Sequence, residues 1–168
     1  VMLTTALCAQ PIFDYVNAPD PSYDWEATSE STLPTGVHVQ NLQLTSQTWQ
    51  GLTWKHRVQV LTPPQMQSPK TAVMLITGGS PGQGELMSLS LVATATSAPV
   101  VILGDIPNQP LFEGRREDAI IAYTFQKYLQ TQDKTWPLLF PMTKAAVRCM
   151  DAIEEYSSEW EQPVEKFY

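Results

Sequence analysis

A chain of 168 residues with 17 acidic against 10 basic side chains, net charge -7, has no electrostatic basis for holding nucleic acid or an anionic membrane surface. Charged residues make up 16% and hydrophobic ones 43%, which excludes a disordered or coiled-coil protein and leaves enough apolar material for one domain with a sizeable core. Fourteen prolines and eight glycines without a short period predict many turns rather than a fibrous repeat.

The chain opens on Val-Met-Leu-Thr-Thr-Ala-Leu-Cys-Ala, apolar and small, with a small-residue position at Ala9. Residues 1–9 are therefore expected to be the remnant of a secretory signal peptide, with a frayed first strand or a cloning remnant as the alternative. Leu7 stands where lipidation of Cys8 would need a small residue, so no lipid anchor is predicted, and no apolar run reaches the ~18 residues of a membrane span. Residues 10–36 carry Pro19, Pro21, Pro34 and Gly36 among polar residues, a density of turn formers that predicts a loop-rich lead-in packed by Phe13, Tyr15, Tyr23 and Trp25.

Residues 37–168 read as one α/β unit. Val37–Leu44 and Leu52–Thr62 alternate as antiparallel strands joined at Gln50-Gly51, the second placing Trp54, His56, Val58 and Val60 on one face. Ala72–Thr77 is a continuous apolar run of the kind buried on both faces, followed by Gly78-Gly79. A helix is expected over Glu85–Thr96, an apolar strand over Pro99–Leu103 and a helix over Arg116–Leu129 with a stripe of Ile120, Ile121, Phe125, Tyr128 and Leu129. Thr143 is expected to cap a third helix with a stripe of Ala146, Val147, Met150, Ile153 and Trp160, and Val164–Tyr168 begins a further strand. An antiparallel pair leading into a parallel sheet with crossover helices is the α/β pattern, here reaching the start of its fifth strand.

Gly78-Gly79-Ser80-Pro81-Gly82 matches the G-x-S-x-G nucleophile elbow in spelling. An elbow needs the N–H of the residue after its serine, and Pro81 has none, so Ser80 is not expected to be a nucleophile. A Gly-Gly pair after the third strand of such a sheet fits instead the loop whose backbone amides complete an oxyanion hole. Gly78, Gly79 and Ser80 are the candidates for that role, and a plain strand-to-helix turn is the alternative reading. The loop lacks the Gly-Lys-Ser/Thr ending of a phosphate loop and the G-x-G-x-x-G dinucleotide spacing, and no cofactor is expected.

His38 and His56 stand on strands without metal-ligand spacing, so no metal is expected, and His56 is read as a hydrogen-bonded, half-buried residue. Asp105 and Asp118 are expected to cap or begin elements, and Cys149 to be a small buried hydrophobe. Asn108 and Gln109, in the loop after the fourth strand, are the candidates for bordering a substrate pocket.

Five separated stretches carry a resemblance: Tyr15–Trp25, Leu44–His56, Ile106–Leu111, Arg116–Thr124 and Trp136–Ala146. Their order resembles the PhoPQ-activated pathogenicity-related protein family, which includes autocrine proliferation repressor-like proteins. The resemblance implies an exported α/β-hydrolase-like protein several hundred residues long, of which this chain is the N-terminal half. It further implies a Gly-Ala-Ser-Lys-Arg-Gly elbow beyond the strand at Val164, with the acid and histidine later still, so no catalytic triad residue is expected within the 168. The expectation is a secreted or periplasmic serine hydrolase acting on a peptide or ester, without nucleic-acid or membrane partners. The alternative is a secreted signalling or resistance factor that uses the scaffold for binding alone. By itself the chain is expected to be poorly soluble, with an unpaired apolar edge.

Overall fold

The computed structural model describes residues 11–168. The expectations for residues 1–9, the signal-peptide remnant and Cys8, lie outside the described residues. The elements are α1 (Pro11–Asn17), β1 (Asp24–Thr32), β2 (His38–Trp49), β3 (Leu52–Thr62), β4 (Thr71–Ile76), α2 (Gln83–Thr96), β5 (Val100–Leu103), α3 (Asp118–Thr131), α4 (Leu139–Tyr156), a 3-10 turn at Ser157–Glu159, and β6 (Lys166–Phe167). The six strands form one sheet in the order β1-β2-β3-β5-β4-β6.

The lead-in is more ordered than its turn formers predict. Pro19, Asp20 and Pro21 occupy the link between α1 and β1, where the Asp20 carboxylate accepts from the Ser22 N–H, the Ser22 hydroxyl and the Thr48 N–H, while Pro34 and Gly36 turn the chain from β1 into β2. β1 shows no hydrophobic alternation and is mostly exposed. It exists because β2 offers it an edge, with pairing from Asp24↔Thr45 to Thr32↔His38. Glu155 ties its start to α4 by accepting from Trp25 Nε1 at 2.7 Å and Tyr23 Oη at 3.1 Å.

β2 runs five residues further than the alternation predicts, through an irregularity between Thr45 and Gln47 that lets Ser46 and Gln47 both face inward. Gln50 and Gly51 close the β2–β3 turn with φ of 50° and 75°, the paired left-handed geometry of a tight hairpin, at the residues predicted for it. Trp54, His56, Val58 and Val60 share the buried face as predicted.

β3 pairs antiparallel with β5, and β5 pairs parallel with β4 through α2. β5 is buried at all four residues. β4 is not the doubly buried strand its apolar run predicts: only Ala72 is fully buried and Ile76 is 47% exposed. β6 covers its outer edge only at Thr71 and Ala72, with one further bond from the Met74 N–H to the Tyr168 carbonyl, and the strand's upper half stands open.

Two helix stripes also differ from expectation. In α3, Ile120 and Thr124 are buried, whereas Phe125 and Leu129 face outward. In α4 the helix starts at Leu139 with Pro141 in its first turn, where the missing N–H costs nothing. Thr143 is therefore not a cap, and its hydroxyl bonds the Leu139 carbonyl one turn back. The inward face is Pro141, Lys144, Ala145, Cys149, Ala152 and Ile153, and Trp160 lies beyond the helix.

One core lies between the sheet and α4, with Leu42, Leu44, Trp54, Val58, Leu103 and Ile153 among its members. The other lies under α2, where Leu86 and Ala93 meet Val39, Leu61 and Ile102. Among the described residues, no helix is long and apolar enough to cross a membrane.

Candidate oxyanion loop at the carboxyl end of the sheet

The loop from Gly78 to Gly82 leaves the carboxyl end of β4 and opens α2. Its root is fixed: the Thr77 N–H donates to the Leu103 carbonyl at 2.9 Å, and the Thr77 carbonyl accepts from the Ile106 N–H at 3.1 Å. Beyond Thr77 the pairing stops. Among the described residues, no acceptor is engaged by the main-chain N–H of Gly78, Gly79 or Ser80. A Cβ on Gly79 would meet nothing within 4 Å, and one on Gly78 would touch only the Ile106 carbonyl at 3.8 Å. The main-chain N–H groups of the sequence candidates are therefore unpaired and open at a strand end.

Two grooves flank the loop. Ser80 borders a mixed one of about 260 Å³, where Leu42 and Val58 line the wall beside Asn41, Gln43, Arg57 and Gln59. An apolar one of about 340 Å³ runs along Ile76, Ile106, Leu139, Met142 and Ala146.

The neighbouring strand end supplies parts that sequence reasoning missed. Gly104 follows β5 directly and is buried; a Cβ there would lie 2.9 Å from the Gly79 carbonyl oxygen and 3.3 Å from that of Arg57. Asp105 follows with a left-handed φ of 61° and is not a cap. Its carboxylate takes a two-pronged grip from Arg57, Nε and Nη2 each at 2.8 Å, and the bonds from this guanidinium hold the carboxyl below its usual range.

His56 is fully buried rather than half-buried. Its Nδ1 lies 3.2 Å from the Asp105 carbonyl, which can only accept, so the proton sits on Nδ1 and Nε2 accepts from the Ser46 hydroxyl at 2.9 Å. A serine donating to a histidine is the pairing of an activated nucleophile, but both side chains are 0% exposed and no substrate carbonyl can reach them. Burial pushes the imidazole down to about 4, so it stays neutral.

Ser80 touches neither imidazole nor carboxylate. Asn108 and Gln109 both have their amides engaged: Asn108 Nδ2 donates across to the Lys55 carbonyl on β3, while Gln109 stays within its own loop, bonding the Glu117 carboxylate with one end and accepting the Glu117 N–H with the other. Cys149 is buried in α4 and its thiol is pushed up to about 12 by desolvation. Among the described residues, no three His, Cys, Asp or Glu side chains are grouped to hold a metal.

Comparison with known proteins decides the family. Residues 12–168 match the family described as PhoPQ-activated pathogenicity-related protein. The chain belongs to that family. Autocrine proliferation repressor protein A of Dictyostelium discoideum is 36% identical over 171 residues, covering 92% of this chain but 34% of its own length, so the PhoPQ-related chain spans about a third of this relative. Among solved structures it is similar to a glucuronoyl esterase from Solibacter usitatus, with a TM-score of 0.52 at 10% identity, covering 86% of this chain and 47% of that one. A candidate acetyl xylan esterase from Bacteroides fragilis aligns with a TM-score of 0.53 at 12% identity, covering 86% and 41%. At such identities the likeness is one of fold: the PhoPQ-related chain has the strands and helices of an α/β-hydrolase scaffold.

Proposed function

We propose that the full-length protein is an exported serine hydrolase of peptides or carboxylic esters, and that this chain supplies the main-chain side of its oxyanion hole. The supporting observation is the run of unpaired N–H groups over Gly78–Ser80 at the carboxyl end of β4. Setting aside β1, which precedes the antiparallel pair, this loop follows the third strand and opens the first crossover helix, where α/β-hydrolases place that half of the hole.

In this reading, a serine beyond Tyr168 attacks the substrate carbonyl and a downstream histidine takes its proton. The carbonyl oxygen gains a full negative charge and is met by amides already aimed at it, so no reorganisation accompanies the charge. The apolar groove against Ile76 and Ile106 suits an apolar group on the substrate, and Asn41, Gln43, Arg57 and Gln59 in the mixed groove beside Ser80 suit its amide or hydroxyl groups.

Fluorophosphonate labelling of the full-length protein tests the assignment, with covalent modification of one serine expected. Ser80→Pro deletes one N–H of that run and is expected to lower turnover by about 100-fold, the loss typical of a single oxyanion donor. A folded wild-type protein that neither labels nor turns over an ester overturns the reading.

A second reading is favoured by the relative, which is a proliferation repressor by name: the scaffold acts by binding, without turnover. Substituting the elbow serine separates the two. A binder keeps its biological effect, and an enzyme loses it.

A further inference from the structure

We infer that Gly104, a residue outside the loop, is the positioning residue that aims the oxyanion donor, and that the donor it aims is the Ser80 N–H. The inference rests on the hydrolase reading above and goes further by naming the amide and what holds it.

The geometry begins with a close approach. An ideal Cβ on Gly104 would lie 2.9 Å from the Gly79 carbonyl oxygen and 3.5 Å from its carbon, so that peptide presents its oxygen edge, obliquely, to Gly104. The Gly79–Ser80 peptide is trans, and in a trans peptide the C=O and the following N–H point opposite ways. The Ser80 N–H therefore lies on the edge of that peptide away from Gly104, and it has no partner among the described residues. Pro81 follows without an N–H, so Ser80 carries the last donor before α2.

Gly104 cannot retreat to make room for a side chain. Its own N–H donates to the Arg57 carbonyl at 2.9 Å, and that same carbonyl oxygen lies 3.3 Å from the place where its Cβ would stand. Thr77, which roots the loop, is bonded to Leu103 on one side of Gly104 and to Ile106 on the other. Every atom a methyl would strike is backbone. A methyl at residue 104 would drive the Gly79 oxygen off, turning the peptide over or lifting the loop. Either movement withdraws the Ser80 N–H, and a turned peptide puts a carbonyl where the anion should form. Gly104 touches no substrate, so it acts wholly through the peptide it admits.

The test uses the full-length protein and its Gly104→Ala variant. With a p-nitrophenyl ester, kcat is expected to fall about 100-fold with KM within twofold, and affinity for a trifluoromethyl ketone that mimics the oxyanion to fall in step with kcat. A merely structural role would move the melting temperature without that split. A folded Gly104→Ala protein with kcat intact overturns the inference. If Gly104→Ala does not fold, Ser80→Pro decides, since it deletes the proposed donor at its source: loss of kcat at constant KM supports the assignment and retained kcat overturns it. A crystal structure of Gly104→Ala reads the geometry without reference to activity, with the Gly79–Ser80 peptide expected to be turned or displaced and an unmoved peptide refuting the assignment. Wild-type protein that does not hydrolyse the ester defeats the hydrolase reading, while the crystallographic comparison still decides what Gly104 holds.

Discussion

His56 shows how burial converts one side chain into a pH dependence. Unfolded, its imidazole takes a proton near the ordinary value of 6.5; folded, desolvation holds that proton off until about 4. Between those values the unfolded chain binds more protons than the folded one, so stability falls as pH falls. The contribution is full above pH 6.5 and declines by about 3 kcal/mol on the way to pH 4. Urea unfolding at pH 7.5, 5.5 and 4.5 measures it, and His56→Gln is expected to flatten the slope across that window. Parallel slopes for the two proteins would show that the imidazole is not responsible. The sequence placed His56 on the correct face because alternation fixes facing, but not its depth. Depth depends on α4 closing over β2 and β3, and on an irregularity in β2 that turns Ser46 inward to meet the ring. Gly104 and the Asp105–Arg57 pair were invisible for a related reason: each is a contact between strand ends far apart in the chain, and leaves no local pattern. Gly78 and Gly79 were legible as the turn from β4 into α2, because a Gly-Gly pair that closes an apolar run ahead of a helix punctuates the chain locally.

At the scale of elements, strand signals carried furthest. β3 was read at its observed limits, since strict alternation over eleven residues has one physical solution, a strand with one buried face. The helices were found but their faces were misjudged. In α3 the expected stripe holds five apolar residues, of which Phe125 and Leu129 face solvent, Leu129 at 69% exposure, while Thr124 turns inward to donate to the Ile121 carbonyl and accept from the Leu138 N–H. The polar residue wins the buried position because it satisfies a backbone group there. Ile120→Ala is accordingly expected to cost about 2 to 4 kcal/mol and Leu129→Gln less than about 0.5 kcal/mol, measured by urea unfolding. Equal costs would mean that α3 packs by its exposed stripe. In α4, Cys149 sits on the inward face with its thiol pushed up to about 12, so its thiolate is scarce at neutral pH. In a Cys8→Ser background, Ellman's reagent is expected to modify it at the rate of unfolding, and rapid modification of that native protein would contradict its burial.

For the 168-residue chain taken by itself, the upper half of β4 is an exposed strand edge. β6 covers Thr71 and Ala72, and from Leu75 onward the strand presents unpaired backbone beside the apolar groove of Ile76, Leu139 and Met142. The opposite edge is protected: β1 is short on apolar side chains and carries Glu26 and Glu30. The two edges therefore differ in chemistry as well as position, and self-association of the 168-residue chain is expected to run through β4. Ile76 is 47% exposed, so Ile76→Lys places a charge on that edge while removing little from either core. The substitution is expected to shift the sedimentation profile of concentrated protein toward the monomer with a melting temperature close to wild type. A charge added on β1, as in Thr28→Lys, is expected to leave the profile unchanged, because that edge is already charged and turned to water. Association that survives Ile76→Lys but yields to Thr28→Lys would assign the sticky edge to β1 and leave the groove at the end of β4 without a part in it.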